Sequence, residues 1–385
     1  MSRASLRGKA AIVGAATFGI GSAPGHGAID LAAKAALLAL GDAGLQPRDV
    51  DALFVCLPQD FLSGLSVAEY LGIDPVISDN NRTGGSAFLT HVEMAAMALD
   101  AGLCEVALIT YGSNQRSASG KLVGATVTSN DFETRYRPVV PASAYALAAS
   151  RHMHEYGTTR AQLAEVAVAA RRWAQLNPEA FVRDPLSIED CLSARMVSDP
   201  LTVRDCCLVT DGAGAIVMTR ADRAKSMPRP PVYVLGASSA ITHREISSMP
   251  DLTVTAAVDS GKRAYAQAGV SAADVDTVQL YDAFTINTIL FLEDLGFCPK
   301  GEGGRFVEGG GLAPGGRLAV NTNGGGLSCV HPGMYGIFTL VEATRQIRRE
   351  CGDRQLDKAD IALCHGNGGS LSHQATVILG SGATL

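Results

Sequence analysis

His331 and His365 are the residues best placed for chemistry, because each stands in a run of glycines. The first run, Asn321 to Gly336, reads NTNGGGLSCVHPGMYG. The second, His365 to Ser370, reads HGNGGS and follows the apolar strand-like run Ile361-Ala362-Leu363-Cys364. Glycine loses more conformational entropy on folding than any other residue, so such density points to backbone held close to a ligand or turned through positive φ. Gly324, Gly325, Gly368 and Gly369 are the positions where that approach to a bound cofactor is expected. Imidazole titrates near neutrality, and two of them at glycine-lined turns suit an acid–base site or an oxyanion hole. The alternative is a histidine simply hydrogen-bonded into the end of a strand.

The elements that must carry these turns repeat along the chain. Ala43-Gly44-Leu45, Asp49-Val50-Asp51 and Ala52-Leu53-Phe54-Val55 return as Ala268-Gly269-Val270, Asp274-Val275-Asp276 and Thr277-Val278-Gln279-Leu280. The offset is 225 residues at each matched position, as from 43 to 268 and from 49 to 274. Helix-like segments precede the two copies (29–41 and 254–266), and strands precede those (10–14 and 232–236). Val106-Ala107-Leu108-Ile109 echoes the run before His365. Strand–helix–strand units with near-continuous apolar strands predict sheets covered on both faces. The expected plan is a duplicated α/β chain, with halves at 1–225 and 226–385. An insertion from about 118 to 208 in the first half carries helices at 142–154 and 161–175.

Composition narrows the function class. A chain of 385 residues with 47% hydrophobic content can bury a large core, and 42 glycines with few aromatics suit an Ala/Val/Gly-packed α/β enzyme. A net charge of −6 disfavours nucleic acid as partner. No apolar run reaches membrane-spanning length, and the start MSRASLRGKAAIVG lacks a signal peptide's apolar core, so no membrane association is expected and the compartment is cytoplasmic. The nine cysteines form no CxxC pair and predict neither a metal site nor a disulfide framework.

The duplicated halves, the string Asp211-Gly212-Ala213-Gly214-Ala215 closing the first, and NTNGGGLSCVHPGMYG together resemble the thiolase superfamily, nearest its sterol carrier protein-type branch. Arg151-His152-Met153-His154-Glu155-Tyr156-Gly157 and Asp199-Pro200-Leu201 in the insertion resemble the same branch. The resemblance spans essentially the whole chain. It implies duplicated βαβαβαββ halves forming a layered αβαβα sandwich, a homodimer built through the first half, and an insertion that helps to bind coenzyme A.

The departures from that family are as informative. The first half should offer a nucleophilic cysteine where this chain reads Asp79-Asn80-Asn81-Arg82-Thr83-Gly84-Gly85-Ser86-Ala87, with Arg82 about where the cysteine belongs. Cys56 and Cys104 lie in apolar runs and read as core. Without that thiolate an acyl-enzyme is not expected. The family's Asn-Glu-Ala-Phe motif appears as Tyr281-Asp282-Ala283-Phe284, and its second catalytic cysteine corresponds to His365. Of these family positions only the histidine of the Gly-His-Pro motif is retained, as His331, with Val330 in place of the glycine. This pattern resembles the thiolase-like aldolases that cleave steroid side chains and work with a small zinc-ribbon/OB-fold partner.

The chemistry so implied is a retro-aldol on a β-hydroxyacyl-CoA, releasing a short acyl-CoA and a ketone or aldehyde. No cofactor is bound covalently, and coenzyme A enters as part of the substrate. His331 would hold the enolate oxygen, His365 would shuttle the α-carbon proton, and Tyr281 would polarise or deprotonate the β-hydroxyl, with Tyr335 a second candidate. Each of these also has a packing alternative. Two rival functions stay open: acyl transfer by an unusual nucleophile such as Ser86, and a silent scaffold subunit.

Overall fold

The computed structural model describes residues 6–57, 60–118 and 131–385. The first half supplies strands β1 (Ala10–Gly21), β2 (Ala52–Val55), β3 (Ile77–Asp79), β4 (Val106–Ser113) and β5 (Asp211–Arg220). The second supplies β6 (Val232–Ile241), β7 (Thr277–Leu280), β8 (Ala319–Val320), β9 (Ile361–Gly368) and β10 (His373–Gly380). Their spatial order is β8-β7-β9-β10-β6-β1-β5-β4-β2-β3, so the second five mirror the first five position by position. Pairing type repeats too: β2 runs parallel to β3 and β4, as β7 does to β8 and β9, and the remaining ladders are antiparallel. Among the described residues the two sets of five strands pair where Ala11 and Ile12 meet Tyr233 and Val232.

Helix α1 (Ala28–Asp42) buries Leu31, Ala32, Ala35, Ala36, Ala39 and Leu40, a helical stripe of good helix formers. Small residues let it sit directly on the sheet: a Cβ on Gly14 would lie 2.0 Å from the Ala39 carbonyl oxygen. The second half repeats this, with Gly236 at 2.2 Å from the carbonyl of Ala264 in the later helix Ala257–Ala268. That helix begins three residues after the sequence pattern places it.

The repeated string has a local reason at each position. Gly44 and Gly269 end the helices at φ 69° and 63°, a left-handed conformation that favours glycine. Asp49 and Asp274 cap matching short turns at 47–49 and 272–274. Asp51 then accepts the N–H groups of Glu105 and Val106 at 2.8 Å, and Asp276 those of Asp360 and Ile361 at 2.8 and 2.9 Å. Each carboxylate thus pins the start of the neighbouring strand, a charge-assisted bond of roughly 1.5–3 kcal/mol.

The first half has two more helices, α2 (Ser63–Leu71), packed beside α1 and β2, and α3 (Ala87–Asp100), in the centre. α3 packs on strands of both halves. The insertion contributes α4 (Ala142–Tyr156) and α5 (Arg160–Gln175), and its residues 119–130 lie outside the described set. The second half adds α6 (Ala257–Ala268), α7 (Thr285–Asp294) and α8 (Gly336–Ile347), the counterpart of α3. The result is the layered αβαβα sandwich expected. The N-termini of α3 and α8 meet at its centre, where a Cβ on Gly336 would lie 2.0 Å from the Gly85 carbonyl oxygen. Among the described residues no helix is long and apolar enough to cross a membrane.

Candidate active site

Tyr281 leaves β7 with its N–H donating to the His365 carbonyl at 3.0 Å, and its side chain turns into the space beside Gly85. A Cβ there would collide with the ring, so glycine at 85 is what admits the phenol. The Tyr281 hydroxyl lies 3.1 Å from His331 Nε2. The two rings meet edge to face at 5.5 Å, and Tyr335 completes the group, edge-on to Tyr281 at 5.8 Å and stacked with His331 at 6.4 Å. Tyr335 turns its hydroxyl away, donating to Asn323 Oδ1 at 2.9 Å.

His331 is clamped from several sides. Its N–H donates to Thr210 Oγ1 at 3.0 Å. The Tyr111 hydroxyl donates to the Pro332 carbonyl and accepts the Met334 N–H. Upstream, the glycine run forms one wide turn, Gly325–Cys329, closed by the Val330 N–H donating to the Gly325 carbonyl at 3.2 Å. Asp282 Oδ1 accepts the Gly326 N–H at 2.6 Å and Oδ2 the Leu327 N–H at 3.4 Å.

All three aromatic groups are buried, and burial sets their charge. It drives His331 down to about 4 and lifts the Tyr281 and Tyr335 phenols well above their usual range. At neutral pH the site therefore rests as neutral imidazole and neutral phenols, with one hydrogen between Tyr281 Oη and His331 Nε2. Such a pair can relay a proton from a donor on the Tyr281 side to the imidazole, leaving the phenol neutral. Burial also raises Asp282, to about 7.

The structure does not bring His365 into this group, which corrects its expected place at the mouth of a turn. β9 continues through Gly368, so side chains alternate between its faces. Gly366 and Gly368 face α3, where Cβ atoms would lie 2.9 Å from Ser86 Cα and 1.7 Å from the Thr83 carbonyl oxygen. His365 points the other way, against Phe291, with no exposed surface. Its Nδ1 takes the Thr376 hydroxyl and its Nε2–H donates to Gln374 Oε1, both at 2.9 Å. Burial pushes it down to about 3. From Gln374 a line of hydrogen bonds runs through Asn367 to the hydroxyl of Tyr145, which donates to the Gly369 carbonyl.

The glycines also answer to protein neighbours rather than to an open groove. Gly324, at φ 103°, lies against Ala174 of α5, and Gly325, at φ 65°, against the Asp282 carboxylate. Gly368 abuts Thr83, and Gly369, at φ 63°, abuts Ser372.

Ser86 has a histidine beside it: His373 Nδ1 lies 2.7 Å from its Oγ, from a residue 287 positions away. Ser86 has no exposed surface, however, and Gly368 and Thr83 close its approach. No cysteine replaces it as nucleophile. All nine are unpaired thiols, and burial raises every one, Cys56 to about 11 and Cys206 to about 12 among them.

Comparison with known proteins is consistent across three kinds of match. A family model described as thiolase C-terminal domain-like matches residues 238–381. The chain is 35% identical over 364 residues to the 17-hydroxy-3-oxo-4-pregnene-20-carboxyl-CoA lyase of Mycobacterium tuberculosis, covering 89% of this chain and 92% of that one. It is 33% identical over 384 residues to the steroid side-chain-cleaving aldolase of Thermomonospora curvata, covering 94% and 96%. Among solved structures it superposes on the Ltp2-ChsH2(DUF35) aldolase with a TM-score of 0.88 at 33% identity, over 98% of each chain.

Proposed function

The chain belongs to the thiolase superfamily, in the thiolase-like branch of the steroid side-chain aldolases, and from that we propose how its site cleaves a carbon–carbon bond. It is a thiolase-like retro-aldolase, a lyase acting on a coenzyme A thioester. The substrate class is a β-hydroxyacyl-CoA, with a steroid side chain as the acyl group its relatives' names suggest. The observation that carries the mechanism is the 3.1 Å contact between Tyr281 and His331.

In this reading the β-hydroxyl gives its proton to the Tyr281 oxygen as the Tyr281 proton passes to His331 Nε2. The Cα–Cβ bond then breaks, its electron pair forming the thioester enolate while the β-carbon becomes a ketone or aldehyde. His331 is now an imidazolium beside that enolate. Charging it at pH 7 costs about 4 kcal/mol, from a pKa near 4, and the enolate's negative charge offsets this. Protonation of the α-carbon by His331 returns the pair to its starting state. One proton has moved from the β-oxygen to the α-carbon, with no acyl-enzyme. Tyr335 supports both rings, since its own hydroxyl is committed to Asn323.

Incubating the protein, with its partner present, with β-hydroxyacyl-CoA thioesters and identifying both products tests this. A carbonyl product in equal amount to a shortened acyl-CoA is expected. Free coenzyme A with an intact acyl chain would instead support acyl transfer, with Ser86 beside His373 as its candidate nucleophile.

The assembly is a homodimer that also holds a small zinc-ribbon/OB-fold acyl-CoA-binding partner. Likeness to an aldolase whose title includes a DUF35 component supports the partner. The dimer is supported by β3, the edge of the sheet among the described residues, flanked by the exposed apolar side chains Phe61, Leu65, Tyr70 and Val76. Light scattering should give twice the chain mass, falling to one on Leu65→Asp. Nine unpaired thiols fit a reducing cytoplasm. The halves divide at residues 225 and 226, a boundary supported by the mirrored strand order.

A further inference from the structure

We infer that Asp282 is the positioning residue that sets the separation of Tyr281 and His331, and that it does so only as a carboxylate. The inference rests on the proton-relay reading above. Asp282 shares a peptide bond with Tyr281, while its carboxylate accepts the N–H groups of Gly326 and Leu327 in the turn that leads to His331. One residue therefore joins the two segments that bring the reacting pair together. The turn is shaped around it. A Cβ on Gly325 would lie 2.0 Å from Asp282 Oδ2, and a Cβ on Gly326 would lie 3.1 Å from Oδ1 and 3.2 Å from His331 Cδ2. The turn thus touches the carboxylate on one side and the imidazole on the other.

Two N–H donors aimed at one carboxyl group call for a charged acceptor, because a protonated carboxyl turns one oxygen into a donor. Beyond its backbone N–H donors and a hydrogen bond from the Asn321 side chain, the surroundings bring no opposite charge to hold it. The faces that α5 and α7 turn to Asp282 are uncharged, Val166, Ala169, Ala170 and Thr288, as is Asn321 beyond β8. The titratable groups that feel it are the buried Cys207 thiol and the Tyr335 phenol, both neutral at pH 7. No cation neighbours it among the groups that shift it, so burial holds its pKa up at about 7. Activity should accordingly fall as pH drops through that value, because protonation releases one N–H of the turn.

The test compares kcat and KM from pH 5.5 to 9 for the parent, Asp282→Asn and Tyr281→Phe, each with the partner protein present. Asparagine keeps the shape but presents an N–H₂ where Leu327 needs an acceptor. Expected for Asp282→Asn is a loss of about tenfold in kcat at pH 8, KM within about twofold, and disappearance of the parental limb near pH 7. Parental kcat and an unchanged limb in Asp282→Asn, with Tyr281→Phe impaired, would overturn the role of Asp282 alone. Tyr281→Phe at the parental rate would overturn the relay and this inference with it. Should Asp282→Asn not fold, the parent decides: kcat flat between pH 6 and 8 refutes the inference.

Discussion

The ring of Tyr281 occupies the place that a side chain on residue 85 would take, with Cε2 only 1.9 Å from a Cβ built on Gly85. The residue that carries this phenol belongs to the second half of the chain, and the gap that admits it belongs to the first.

One methyl group should therefore separate the two. Gly85→Ala must push Tyr281 from its contact with His331, or shift the backbone where α3 and α8 meet. Overpacking of this kind costs about 1–3 kcal/mol of stability, whereas kcat is expected to fall by roughly a hundredfold or more. Thermal melting and kinetics on the same preparation check both numbers.

Removing either member of the pair should act on kcat rather than on binding. Tyr281→Phe deletes only a hydroxyl, and His331→Ala removes the proton carrier and the charge beside the enolate. Each is expected to lower kcat by roughly two to three orders of magnitude with KM little changed.

Acid should destabilise the fold steeply. His331, His365 and His373 are buried neutral, with folded values of about 4, 3 and 4 against 6.5 when unfolded. A depressed histidine contributes stability that is present above 6.5 and is lost as pH falls toward the folded value. Three together give a slope of up to roughly 4 kcal/mol per pH unit between about pH 6 and 4. Asp282, raised instead of lowered, opposes this with the slope of a single group. Melting temperatures across that range measure it, and His365→Gln should flatten the curve.

The same His365→Gln variant separates placement from chemistry. With both ring nitrogens engaged and the side chain on the far face of β9, its loss should leave deuterium uptake into the released acyl-CoA at the parental level. Reduced uptake in a folded variant would restore the proton-shuttle role.

Cysteine chemistry should be silent. With every thiol raised by burial, iodoacetamide at pH 8 is expected to leave kcat unchanged over an hour. Mass spectrometry of protein quenched during turnover should show the unmodified chain.

The repeat was legible because it is written in local chemistry: a glycine that ends a helix, an aspartate that caps a turn, another that pins a strand. His331 was legible for the same reason, since its glycines shape its own turn. His365 was misplaced because HGNGG looks like a turn, although glycines at 366 and 368 keep the period of two of a strand. They clear one face for α3 and leave His365 on the other. The contacts of Ser86 with His373 and of Tyr145 with Gly369 span 287 and 224 residues, and nothing near either partner announces them. Asp282 was visible beside Tyr281, but its grip on the 325–329 turn required the fold.

The 225-residue register also reaches one step past the paired strands. It sets Tyr281 against Cys56, each the first residue beyond its strand, and Cys56 is only a buried thiol that burial makes unreactive. Two identical subunits related by a twofold axis must carry the same residue at both such places, so any demand of the reaction is imposed twice. A fused duplicate escapes that constraint. In the proposed relay one copy of this position serves proton transfer while the other serves packing, and each can be altered without the other having to follow.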